Sequence, residues 1–167
     1  MLNLNLNVNL SRLVPAAALI VALLSPVAVH AADDAHAIRR VMMKTWDKPE
    51  ARLQVAPVVL RGAHAVAGWT QGERGGRALM ARNGDGSWRV VLCAGDGIRH
   101  APALQDAGLN ATDAQALARD LAAAEAKLPA AQRAKFATFD GIVRMDAHGQ
   151  HPPASDAAQG HGQHKAH

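Results

Sequence analysis

The chain has 167 residues, of which 49% are hydrophobic, with a formal charge of +4, nine histidines and one cysteine. Five aromatic residues, none of them tyrosine, and scattered charge exclude a base-stacking nucleic-acid surface. A single cysteine excludes an intramolecular disulfide, so packing alone must hold the fold.

Residues 1–31 have the pattern of a secretory signal peptide. Leu13 to Leu24 is almost wholly apolar but too short to span a bilayer comfortably. Arg12 precedes it, Ser25-Pro26 interrupts it, and Val29-His30-Ala31 places small residues where a signal peptidase reads. Cleavage would start the mature chain at Ala32 and release it to the periplasm, free of the membrane. With no cysteine near the cut, a lipid anchor is not expected. One domain, 32–144, and a tail, 145–167, would remain.

The mature chain reads as helix, sheet, helices, an α+β pattern. Asp33 and Asp34 can cap a helix ending near Trp46, with Ile38, Val41, Met42, Thr45 and Trp46 on one face. Asp47-Lys48-Pro49-Glu50 ends it. Four strand-like runs follow: Leu53–Leu60, Ala65–Thr70, Arg77–Arg82 and Ser87–Cys93. Pro57 marks the first as an edge or a bulge. Asn83-Gly84-Asp85-Gly86 is a hairpin signal. Short connections predict a four-stranded antiparallel meander with the first helix on its apolar face, the order of cystatin and NTF2-like sheets. A short helix is expected from Ile98 to Ala107. Thr112 and Gln115 have the form of a capping box for a longer helix to Leu128, with Leu117, Leu121, Ala124 and Leu128 buried. Pro129 opens a last turn through Phe136 and Phe139, and Gly141 closes the compact part.

Within the domain, few residues suggest chemistry. Met42 lies on the apolar stripe and reads as core, while Met43 shares a flank with His36 about 10 Å away along the helix axis. Cys93 is a small buried residue, a copper ligand or a nucleophile beside His100. Strand phase pairs it with Val91, opposite Trp88 and Leu92, and leaves its face open. Gly72 to Arg77 reads as a hairpin connection in which Arg74 and Arg77 can meet a partner. His64 and His100 are expected at the surface. No motif points to an enzyme.

The tail is the chemical concentration of this chain. Met145, His148 and His151 are spaced by threes, and so are His161, His164 and His167. Imidazole is the commonest metal ligand, and thioether adds a soft donor for Cu(I). The residues between them cannot build a core, so a disordered tail is expected, able to wrap an ion but not to position a substrate. Its metal binding should weaken as pH falls through the imidazole pKa, near 6.5.

Several segments of the body carry a family resemblance. They are Val41-Met42-Met43-Lys44-Thr45-Trp46-Asp47 with Pro49-Glu50, Val66-Ala67-Gly68-Trp69, Gly72, Gly75-Gly76-Arg77, Trp88, Cys93-Ala94-Gly95-Asp96 and Phe139-Asp140-Gly141-Ile142-Val143. Across roughly residues 36–143 the chain resembles bacterial copper uptake system-associated proteins. The resemblance implies an exported accessory to copper acquisition, with no assigned reaction and no ligand set. The expected function is a periplasmic protein that captures copper, as Cu(I) or Cu(II), through its Met/His tail. It would pass the ion to a copper transporter or another periplasmic copper protein. The alternative is a periplasmic interaction module, binding through its sheet face and the Trp69-to-Arg77 hairpin.

Overall fold

The computed structural model describes residues 26–146, so residues 1–25 and all five tail histidines (His148, His151, His161, His164, His167) lie outside the described residues. Helix α1 (Pro26–Trp46) leads into strands β1 (Leu53–Arg61), β2 (His64–Gln71), β3 (Arg74–Arg82) and β4 (Trp88–Ala94). A 3-10 turn (Asp96–Ile98), α2 (Ala101–Asp106), α3 (Ala111–Glu125), α4 (Ala130–Lys135) and a second 3-10 turn (Phe136–Thr138) follow. The class is α+β, but the described sheet has five strands rather than four. β5 (Ile142–Arg144) returns after the helices and pairs antiparallel with β4, giving the order β1-β2-β3-β4-β5.

The meander is built by tight turns. Gly62 (φ 57°) and Gly72 (φ 60°) supply the left-handed conformations that two-residue hairpins need. Gln71 pairs with Arg74, so the expected 71–76 loop shrinks to Gly72-Glu73 and β3 absorbs Gly75 and Gly76. Pro57 fulfils both readings: β1 is an edge strand, and its register slips between Val55 and Val58.

Both faces of the sheet are covered. Ile38 and Met42 of α1 pack on Val55, Ala67, Met80, Val90 and Cys93. On the other side, Leu104 of α2 and Leu117 and Leu121 of α3 pack on Val66, Leu79, Leu92 and Ala94. Burial from two sides explains why β2 and β3 run almost continuously buried instead of alternating.

Three helix expectations change. α1 does not start at Asp33 or Asp34; both lie inside it, and Thr45 is exposed. The Asp34 carboxylate instead accepts hydrogen bonds from Arg82 and from Trp88 Nε1 (3.2 Å), tying α1 to β3 and β4. Burial pushes that carboxyl up, but the Arg82 and Trp88 hydrogen bonds and the Arg82 and His30 charges outweigh it and hold the pKa below 3.8. α3 is capped by Asn110 rather than Thr112, with Asn110 Oδ1 accepting from the Asp113 N–H at 2.9 Å. It also ends at Glu125, and Glu125 is buried where Ala124 and Leu128 were expected to be.

The expected cut after Ala31 falls within α1, ahead of its buried residues Ile38 and Met42. Among the described residues, no helix is long and apolar enough to cross a membrane.

Candidate functional site

The face of Cys93, left open by strand phase, is decided by one extra residue. Leu79 pairs with Leu92 and Met80 with Val90, so Val91 is bulged out of the β3–β4 ladder. The bulge reverses the alternation. Val91 and Leu92 pack toward α2 and α3, while Trp88, Val90 and Cys93 all face α1. The same residue anchors the start of the tail, because the Met145 N–H donates to the Val91 carbonyl at 2.9 Å. Cys93 pairs with Val143, and Met145 lies two residues on, hence on the same side of the sheet.

These side chains meet in a cavity of about 160 Å³ between the end of α1 and the β4–β5 edge. Its wall consists of Met42, Trp46, Leu53, Trp69, Gln71, Cys93, Phe139, Val143 and Met145. Three sulfurs and two indoles therefore line one small space, and among the described residues no charged side chain does. Gln71 is the one strongly polar member. Its amide N–H groups donate to the carbonyls of Trp46 (2.8 Å) and Ala51 (2.7 Å), clamping the end of α1 and the α1–β1 connection to β2. Trp69 stands edge-on to Phe139, with ring centroids 5.8 Å apart, and its buried Nε1 has no acceptor among the described residues.

Phe139 is held in that wall by a close approach of backbone to backbone. The segment 135–139 lies on glycines of the sheet. A Cβ on Gly76 would stand 3.0 Å from Phe139 Cβ, one on Gly68 2.9 Å from Phe136 Cζ, and one on Gly95 2.4 Å from the Phe139 carbonyl oxygen. The Gly75 N–H donates to Thr138 Oγ1 at 3.0 Å.

Beneath this segment runs the fold's buried ion pair. Arg77, 2% exposed, donates from Nε and Nη2 to the two carboxylate oxygens of Glu125 at 2.6 and 2.8 Å. Its Nη1 donates to the Gly95 carbonyl and to Asp96 Oδ1, each at 3.0 Å, and the guanidinium lies 5.2 Å from the Phe136 ring centre. Arg77 is thus a structural hub and is not available to a partner; Arg74, at the exposed hairpin turn, is. In the Trp69-to-Arg77 hairpin, Gly72, Glu73 and Arg74 are exposed and the other residues are buried or half-buried, and helices cover both faces of the sheet.

Cys93 and His100 are not brought together. Cys93 faces α1, whereas His100 precedes α2 on the opposite side of the sheet and lines a separate recess with Arg99 and Glu125. Burial pushes the Cys93 thiol up to about 12. A nucleophile needs thiolate, and a thiol raised that far stays protonated at neutral pH. Cys93 in the folded chain should therefore resist a disulfide reagent such as DTNB over the minutes in which the urea-unfolded chain reacts fully. Equal rates in both states would show that the thiol is open to solvent.

Met42 is core, as expected, at 1% exposure. Met43 packs partly against that core while His36 is exposed, so they make no site. His64 is half-buried in β2 rather than at the surface. Among the described residues, no group of three or more His, Cys, Asp or Glu is placed to hold a metal ion. Comparison with protein-family models, with curated proteins and with solved structures gives no match.

Proposed function

We propose that this chain is an exported, periplasmic copper-handling protein that captures copper on its Met/His tail and passes it on by ligand exchange. The receiver would be a copper transporter or another periplasmic copper protein. One observation carries the reading: Met145, first of the tail's spaced ligands, is fixed in the wall of a cavity that also holds Cys93 and Met42. His148 follows three residues later, within roughly 10 Å of extended chain. The tail sequence thus continues directly from a wall whose sulfurs prefer the reduced ion. The resemblance to copper uptake system-associated proteins supports the same reading. The cystatin or NTF2-like strand order proposed for the body adds no function of its own.

The test is a competitive Cu(II) titration of the processed chain and of a variant with all five tail histidines (His148, His151, His161, His164, His167) changed to Gln. Cu(II) affinity should fall by more than about tenfold in the variant, and the native site should weaken below pH 6.5. Unchanged affinity would remove the tail from the function.

A further inference from the structure

We propose that Met42, Cys93 and Met145 form a Cu(I) site inside the cavity between α1 and the β4–β5 edge. This inference rests on the copper reading above and adds to it a body site with a defined oxidation state.

The donors come from three distant parts of the chain. Met42 is on α1, Cys93 on β4, and Met145 follows β5 with its N–H fixed to Val91. The Val91 bulge is what turns Cys93 toward the other two. Thiolate and thioether are soft donors that select Cu(I) over the borderline divalent ions. Methionine has three rotatable bonds, so two thioethers can move onto an ion that enters without any shift of backbone. The indoles of Trp46 and Trp69 line the same space, and indole is the aromatic ring that best attracts a cation.

Electrostatics choose the charge of the guest. Among the described residues no ionised side chain lines the cavity, so a dication bound there would keep an uncompensated charge in apolar surroundings. The same surroundings disfavour a bare thiolate on Cys93. A monovalent ion removes both penalties together. On binding, the S–H bond of Cys93 breaks, an S–Cu(I) bond forms, and the proton leaves to water. The thiolate–Cu(I) unit is neutral, and no electron changes hands. The two thioethers complete the coordination without adding charge.

The probe is Cu(I) itself, titrated anaerobically against a competing chelator, with Zn(II) as the contrast ion. The background is the processed chain with the five tail histidines changed to Gln, so that the tail cannot buffer the metal. One Cu(I) per chain is expected, with quenching of tryptophan fluorescence and a thiolate-to-Cu(I) absorption band in the near ultraviolet. Cys93→Ala should abolish the band and weaken Cu(I) by more than about 100-fold, beyond the 10–100-fold typical of outer-shell changes. Met145→Leu, which conserves volume, should weaken it by at least about tenfold, and Zn(II) should not compete. A folded Cys93→Ala chain that titrates like its parent overturns the proposal, as does Zn(II) binding as tightly as Cu(I). If Cys93→Ala does not fold, Met145→Leu decides, and an unchanged Cu(I) affinity there is fatal. The two readings fail separately. Unchanged Cu(II) capture in the Gln background removes the tail alone, whereas loss of the Cys93 dependence removes the cavity site alone.

Discussion

Truncating Glu125 to alanine should lower folding stability by about 3–5 kcal/mol, the usual result of removing one partner from a buried ion pair. The Glu125 and Arg77 side chains are 6% and 2% exposed, so the guanidinium left behind could not be rehydrated without opening the fold. It would retain the Gly95 carbonyl and Asp96, both at 3.0 Å, but lose its two shortest bonds. Urea denaturation checks this, the midpoint falling at constant slope. Glu125→Gln should lose less, because one amide oxygen still accepts. Changing both residues, Arg77→Met with Glu125→Leu, should recover part of the loss, since apolar replacements of buried pairs are often tolerated. Recovery cannot be complete while the Gly95 carbonyl stays unpaired, at about 1–3 kcal/mol for a buried acceptor. A loss under about 1 kcal/mol for Glu125→Ala would place the pair with exposed surface bridges.

Gly95→Ala should be nearly as damaging, through sterics alone. The added Cβ would lie 2.4 Å from the Phe139 carbonyl oxygen and 3.3 Å from that of Phe136. Both are backbone atoms, so no side-chain rotation relieves the clash, and the segment 136–139 must lift. Inserting atoms into packed structure costs about 1–3 kcal/mol and occasionally more, and the upper end is expected here. The damage should also reach the cavity, because Phe139 forms part of its wall and stands against Trp69. Tryptophan emission of the folded variant should therefore shift red relative to the parent chain. Gly62→Ala is the contrast: its Cβ meets nothing within 4 Å, and only the backbone preference at φ 57° opposes it. A Gly95→Ala protein as stable as the parent would mean that 136–139 is free to move.

Much of the architecture was legible in the residues. Strand runs rich in valine and the Asn83–Gly86 turn located four strands to within about three residues, and the Ile38–Met42 stripe and Pro49 located the end of the first helix but not its start at Pro26. What escaped had no local signal. β5 is Ile142-Val143-Arg144, three residues between a glycine and a polar tail, and its partner β4 ends 48 residues earlier in sequence. The Val91 bulge is invisible in a run of apolar residues that fits either phase, yet it decides which face Cys93 takes. Glu125 continues the buried stripe of α3 four residues after Leu121, but the residue that pairs with it there, Arg77, lies on β3. Met42, Cys93 and Met145 lie in three separate segments of the sequence, and only folding brings them to one wall. Several glycines singled out by neither turn nor cap acquire a physical reason as well. Gly68, Gly76 and Gly95 give room to the segment that holds Phe136 and Phe139, and Arg77 bonds beneath it.

The brevity of β5 gives the cavity its kinetics. Native proteins open in local units, and a short strand at a sheet edge is among the first to release. Here that strand is attached by Leu92–Arg144, Cys93–Val143 and Ala94–Ile142 pairing, and Ile142 is already 53% exposed. Val143 and Met145 leave the wall when it frays, while Cys93 and Met42 stay with the core. If the cavity holds a guest as proposed, its dwell time should follow how often that edge strand detaches, a quantity readable as amide hydrogen exchange along 142–145.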